Sequence, residues 1–277
     1  MQLLQSETPG AGGASAAIRE YTDPAVWLCL LGGFRLVSRG RLLGVRSGGK
    51  TEALLVHLGL AGIRGVPRAA LLQAIWPNTE PALAGQALNS LVHSLKQLLG
   101  DALRGAEPVV PNASQYRLNA AAGVAVDVDQ FQALVAEGER LFRAGETSAA
   151  TSAYERAAGV YGGDLSLVAG KSGRVALERE RLRATHRRVL IRLADEAFTR
   201  GAFDSALAYA LALLEHDPCR EDAHRLVMRC YVRLGERSEA MRHYATARYI
   251  LRTELDAEPE PATTALFEQV RLNPSAV

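Results

Sequence analysis

Apolar residues along this chain keep two different periods. Over roughly the first 120 residues the apolar runs are short and often broken. In VWLCLLGGFRLVSRGRLLGV the stretches Trp27 to Leu31, Phe34 to Val37 and Leu42 to Val45 are interrupted by Gly32-Gly33 and by Arg39-Gly40. That spacing predicts a small β-meander with tight turns. The following TEALLVHLGLAG, apolar at Leu54, Leu55, Leu58 and Leu60 and stopped by Gly62, predicts a helix. PRAALLQAIW predicts a second, with Pro67 at its first position. A third runs from about Ala82 to Leu99, with Leu88, Leu91, Val92, Leu95 and Leu98 on one face. PVVPNASQYRLN then returns to strand character around a turn at Pro111 to Ser114. Strands, three helices and a closing hairpin are the order of a winged helix.

From about residue 123 the pattern is helical almost throughout, and it repeats. Gly201 and Gly235 stand 34 residues apart, as do Ala206 and Ala240, and Leu207 and Met241. A 34-residue period of Gly and then Ala on the next helix is the tetratricopeptide spacing, in which a small Ala lets paired helices approach. RAGETSAATSAYERAAGVY, from Arg143, reads as an earlier copy at an expanded interval. Each helix pair leaves an apolar face that its neighbour covers, so this half is expected to form one stacked array. The long helix VALERERLRATHRRVLIRL carries Arg179, Arg181, Arg183, Arg187, Arg188 and Arg192 against Glu178 and Glu180. That charge run reads as a solvated face with local ion pairs, the alternative being a second polyanion surface. Its apolar positions Leu177, Leu182, Val189 and Leu193 are expected to pack on the array. The expected fold is thus mainly α with a small β part: a tail over 1–25, a winged helix-turn-helix over 26–122, and a tetratricopeptide-like helical array over 123–277.

Charge sharpens this division. The chain's net charge is +2, yet residues 26–122 hold ten Lys or Arg against four Asp or Glu. One part is therefore suited to polyanions and the other to proteins. No apolar run reaches the ~18 residues of a membrane span, and the Gly-, Ala- and Ser-rich N-terminus lacks the basic and apolar regions of a secretory signal. A cytoplasmic protein with no membrane partner is expected. Cys29, Cys219 and Cys230 form no C-x-x-C, and the six histidines show no ligand spacing beside them. Reduced, buried thiols and no metal or cofactor are the expectation. Neither H-E-x-x-H, nor a nucleophile elbow, nor paired carboxylates at a meaningful spacing is present, so no catalytic residues are assigned.

One string tests this reading. GVRSGGKT, Gly44 to Thr51, matches the phosphate-cradling pattern G-x-x-x-x-G-K-[ST]. That chemistry needs a buried parallel strand before the loop. Here the preceding Arg39-Gly40-Arg41-Leu42-Leu43 reads as the half-polar return arm of a hairpin. GVAVDVD, Gly123 to Asp129, offers an apolar strand ending in Asp, but no strand–helix alternation links it to the loop. The string is read instead as the turn launching the first helix, with Gly48-Gly49 at the bend, Thr51 capping or opening the helix and Glu52 in the first turn.

LLGGFRLVSRGRLL and VPRAALLQAIWPN, with Trp76-Pro77, resemble the winged helix of the actinomycete antibiotic regulatory protein family. LERERL, HDPCREDAHRLVMRCYVRLGERSEAMRHY and LRTELDAEPEPATTALF resemble that family's bacterial transcriptional activator domain. The resemblance implies a transcriptional activator whose partners are double-stranded promoter DNA and RNA polymerase holoenzyme, and which can pair as a homodimer. It also implies that the third helix enters the major groove. The solvent face of that helix holds Gln86, Asn89, Ser90, His93, Lys96 and Gln97. Asn and Gln can pair with adenine, and Lys with guanine or phosphate. Lys50, Arg64 and Arg68 offer further phosphate contacts. So do Asn112, Ser114, Gln115, Tyr116 and Arg117 around the wing. The family usually carries several Arg along the third helix, where this chain has His93-Ser94-Leu95-Lys96-Gln97 and has Leu83, Gly85 and Asn89 further back. Two alternatives follow: an interaction adaptor whose winged helix no longer binds DNA, or a nucleotide-dependent switch at Gly44 to Thr51.

Overall fold

The structure, a computed structural model, describes residues 24–112, 115–165 and 173–277. The expected N-terminal tail lies outside them up to residue 23. The described residues form two compact units, those within 24–140 and 156–184, and those within 141–155 and 185–277.

The first unit begins as a meander. β1 (Val26–Cys29) pairs antiparallel with β2 (Arg35–Ser38), and β2 with the two-residue β3 (Arg41–Leu42). The third strand is shorter than the apolar run to Val45 suggests, because Leu42 is 70% exposed and has no core to cover. Residues 43–49 are irregular and lead into α1 (Lys50–Ala61). Burial along α1 is nearly all-round: Leu54 through Gly59 are all buried. Gly59 is what lets the helix sit so close, since a Cβ there would meet Leu30 Cδ1 at 2.9 Å and Leu28 Cδ2 at 3.1 Å. β4 (Val66–Pro67) follows, so Pro67 ends a strand and α2 (Arg68–Ile75) begins one residue later than expected. α3 (Pro81–Leu99) precedes the hairpin of β5 (Val109–Asn112) and β6 (Gln115–Leu118), whose second strand also pairs with β4.

The sequence pattern offers no parallel pairing, and here the structure corrects it. β7 (Val124–Val126) runs parallel to β1, with Trp27 opposite Ala125, so the sheet order is β3-β2-β1-β7. Asp127, at the carboxyl end of β7 and the start of α4 (Asp127–Arg143), is 2% exposed. Its Oδ2 accepts the Leu30 and Leu31 backbone N–H groups at 2.8 and 2.9 Å, and its Oδ1 accepts the Leu30 N–H at 2.9 Å. The aspartate of GVAVDVD is therefore a clamp on the chain leaving β1. Burial pushes its carboxyl up to about 7, against the pull of the N–H groups and of Arg35. A second clamp lies beside it. Gly32, with φ of +69°, donates its N–H to the Gly163 carbonyl at 2.9 Å, and a Cβ there would overlap the Gly162 carbonyl.

α5 (Thr147–Val160) and α6 (Gly173–Thr199) are shared between the units. In the first, Asp164 accepts from Tyr161 Oη at 2.8 Å and pairs with Arg179 and Arg183. Arg181–Glu178 and Arg183–Glu180 are local pairs at i,i+3, whereas Arg179 and Arg183 also reach Asp164, a partner outside the helix that the charge run does not point to. Leu182, Val189 and Leu193 are buried, but Leu177 is 54% exposed and Val175 is buried in its place.

In the second unit α7 (Phe203–His216), α8 (Glu221–Arg233), α9 (Arg237–Leu255) and α10 (Pro261–Leu272) pack in succession, with α10 also touching α8. Gly145, Gly201 and Gly235 all turn with φ near +80°, at 77°, 80° and 82°. Five residues after each, Ala150, Ala206 and Ala240 are buried to 1% or less. The same turn is thus built three times. Met228 and Ala240 share one core cluster with Leu266 and Val270, while Ala197, Ala206 and Cys230 share another. Tyr244 stacks on Phe267 at 4.1 Å, which closes the array on its last helix.

Candidate nucleic-acid interface

α3 owes its two faces to spacing. Ala84, Gly85, Leu88, Leu95 and Leu99 are buried against α1 and α2, and Pro81 opens the helix with its fixed φ. The apolar face is narrower than the sequence pattern suggests: Leu91 and Val92 are half-buried and Leu98 is 39% exposed. On the other side Gln86, Asn89, Ser90, His93 and Gln97 are exposed, with Lys96 half-buried at the edge. Leu83 joins them at 55% exposure. Leu83, Gln86, Ser90, His93 and Gln97 recur at three- and four-residue intervals and so form one stripe.

The cations divide into committed and uncommitted groups. Lys50 donates its ammonium to the Ile75 carbonyl at the end of α2 and stands 5.8 Å from the centre of the Trp76 ring. Lys96 pairs with Glu107 on the segment before β5. Arg68 lies with its guanidinium against Gly85, where a Cβ would overlap it, on the flank of α3 away from the stripe. Arg64, on the short turn Gly62–Arg64, and Arg117, on β6, are exposed and form no ion pair among the described residues. Tyr116 and Gln115 are half-buried in the hairpin. The side chain of Asn112, and Ser114 altogether, lie outside the described residues. His93 Nε2 and Gln97 Nε2 meet at 3.1 Å, which ties together the C-terminal end of the stripe.

Neither lysine's partner is visible in the sequence pattern, since one is a backbone carbonyl 25 residues away and the other a loop carboxylate. Arg39, Arg41 and Arg46, exposed around the β2–β3 hairpin, fall outside the expected contacts. The RGR of the turn is the signal for the first two.

The phosphate-loop reading is overturned by the same geometry. The strand before Gly44 is antiparallel and two residues long, the Gly48 N–H is taken by the Glu52 carboxylate at 2.7 Å, and the ammonium of Lys50 faces a carbonyl. Gly49 caps the helix, with no side-chain bond, and Thr51 lies in its first turn without capping it. Of the cysteines, Cys29 and Cys230 are buried and Cys219 half-buried, and burial pushes the first two up to about 11. Among the described residues no group of three or more His, Cys, Asp or Glu is placed to hold a metal ion. Nor is any described helix long and apolar enough to cross a membrane.

The fold is shared with known proteins. The structure of Mycobacterium tuberculosis EmbR, solved with a low-affinity phosphopeptide, aligns with a TM-score of 0.69 over 90% of this chain and 65% of that one, at 22% identity. That likeness shows the fold. By sequence, the chain is 27% identical over 253 residues to the regulatory protein AfsR of Streptomyces griseus, covering 90% of this chain but 25% of AfsR. It is 28% identical over 263 residues to the transcriptional regulatory protein MoaR1 of Mycobacterium tuberculosis, covering 92% and 82% of the two chains. The chain thus spans about a quarter of the length of AfsR and most of MoaR1. The profile of the bacterial transcriptional activator domain matches residues 126–271. The protein therefore belongs to the bacterial transcriptional activator domain family.

Proposed function

We propose that the protein is a DNA-binding transcriptional activator. Residues 26–122 engage promoter DNA, with α3 in the major groove and the β5–β6 hairpin along the backbone. Residues 123–277 reach RNA polymerase holoenzyme or a second copy of the chain, and no catalytic step is involved. The observation that carries this is the exposed stripe of α3, led by Leu83 and polar from Gln86 to Gln97, held outward by a three-helix frame with an attached hairpin. Arg64, Arg68 and Arg117 supply the phosphate contacts. Three such contacts give a log–log salt slope near −2.7, or roughly a 40-fold loss of affinity between 50 and 200 mM salt. A mobility shift of the chain's own upstream DNA, measured across that range, tests the proposal. No shift at low salt would refute it.

A second reading is favoured by one observation: α3 carries no Arg, and its only Lys is paired with Glu107. In an adaptor, the winged helix would be structural and the helical array would bind protein. That reading requires a stable protein complex and no retardation of any duplex.

A further inference from the structure

The half of a recognition helix that goes deepest into the groove is its N-terminal half, whose side chains meet base edges. On α3 that half presents Leu83, Gln86, Asn89 and Ser90, all exposed. Gln86 and Asn89 make no hydrogen bond among the described residues, so both amides are available. His93 and Gln97, further along, engage each other. α3 itself contributes no cation to the leading four. Arg68 is turned to the flank at Gly85, and Lys96 is held by Glu107 two turns later.

Resting on the DNA-binding reading above, we infer that α3 reads A·T base pairs. Gln86 and Asn89 pair with the N6 and N7 edge of adenine, and Leu83 covers the 5-methyl of a thymine. The chemistry separates the bases on this point. Guanine offers two acceptors, O6 and N7, matched by the paired donors of Arg or Lys. Adenine offers a donor beside an acceptor, which a carboxamide matches. Thymine alone carries a methyl group, which an apolar side chain can cover. A leucine 55% exposed at the leading end of a polar stripe faces solvent on its own side, and a thymine methyl supplies an apolar contact there.

The test uses the full-length chain and a pool of random duplexes, from which bound sequences are selected and read. A core of A·T pairs is expected. The selected duplex is then remade with deoxyuridine for each core thymidine, which removes only the methyl. A loss of about fourfold is expected, since burying one such group is worth about 0.8 kcal/mol. Leu83→Ala should bind the thymine and uracil duplexes equally while keeping the wild-type salt slope. A G·C core, or no difference between thymine and uracil duplexes with the wild-type chain, would overturn the inference and leave the DNA-binding reading standing. Failure to bind any duplex at low salt would overturn both. The wild-type comparison needs no variant, so the result does not depend on the folding of Leu83→Ala.

Discussion

Asp127→Asn tests whether the clamp at the end of β1 carries a charge. The wild-type carboxylate takes three short contacts from two buried N–H groups, and Oδ2 alone takes both donors. An Asn with its oxygen at that position keeps one bond to each donor, while its Nδ2 takes the place of Oδ1 beside the Leu30 N–H, a donor–donor cost that does not vary with pH. The pH-dependent change is in charge and desolvation. Burial raises the carboxyl to about 7, above the ~3.9 of an unfolded aspartate. The native state therefore binds more protons between these values, and stability falls as pH rises from about 4 to about 7. The limiting slope is about 1.4 kcal/mol per pH unit for one proton, so wild type should lose on the order of 2–3 kcal/mol relative to Asp127→Asn between pH 5 and pH 7. Urea unfolding, followed by tryptophan fluorescence and circular dichroism at half-unit pH steps, reads the difference directly. Trp27 is buried in β1, two residues before the end of that strand. Asp127→Ala provides the scale, since it orphans two buried donors at about 1–3 kcal/mol each at every pH. A wild-type-minus-Asn difference that stays flat with pH, or that rises, would refute the reasoning: the N–H groups would then outweigh desolvation and keep the carboxylate ionised throughout.

Gly32→Ala should destabilise by at least about 2 kcal/mol, because a left-handed φ and an overlap with the Gly162 carbonyl act together; a thermal melt unchanged within error would show that the loop yields. Lys50→Ala should cost about 1 kcal/mol or less of stability and leave the salt slope of DNA binding unaltered, whereas Arg117→Ala should flatten that slope by about 0.9; the reverse assignment would place Lys50 on phosphate after all. In the second unit, His224 Nδ1 lies 2.9 Å from His243 Nε2, and its Nε2 faces the Pro218 carbonyl at 2.8 Å. Burial holds both imidazoles down, His243 to about 4 with a contribution from His224. Both are therefore neutral in the fold, and the pair's stability is present above about 6.5 and lost as pH falls toward 4. Relative to His243→Gln, wild type should lose about 1–2 kcal/mol from pH 7 to pH 5 in urea titrations, and a parallel pair of curves would dismiss the coupling.

What the pattern of residues reveals, and what it hides, follows the range of the interactions. The helices announce themselves because apolar side chains repeat within one turn, and the Gly–Ala spacing of the array is likewise local. The outward face of α3 is legible in the sequence, since its buried face determines it. The parallel pairing of β1 with β7 is not, because nothing within a strand of three residues names a partner on the far side of three helices and a hairpin. For the same reason Asp127 resembles a nucleotide-site carboxylate in the sequence and is a backbone acceptor in the fold. Lys50 and Lys96 look like free cations in the sequence because composition counts charges and says nothing of a carbonyl or carboxylate folded back on them. Leu177 and Val175 exchange roles through a two-residue difference in helix phase, which periodicity alone does not resolve.

The β7 strand has a consequence for how this protein can be cut or recombined. It follows the winged-helix hairpin in sequence, yet it pairs with the first strand of the chain, and its aspartate fixes the residues leaving that strand. A fragment ending at residue 122 would strip β1 of one neighbour, bare the edge of an apolar strand to solvent, and leave the Leu30 and Leu31 N–H groups without their acceptor. The winged-helix part and the start of the region that matches the activator domain profile are thus stitched by a shared sheet. A graft of one winged helix onto another activator array has to carry the seam with it, through Asp127 and on to Gly163.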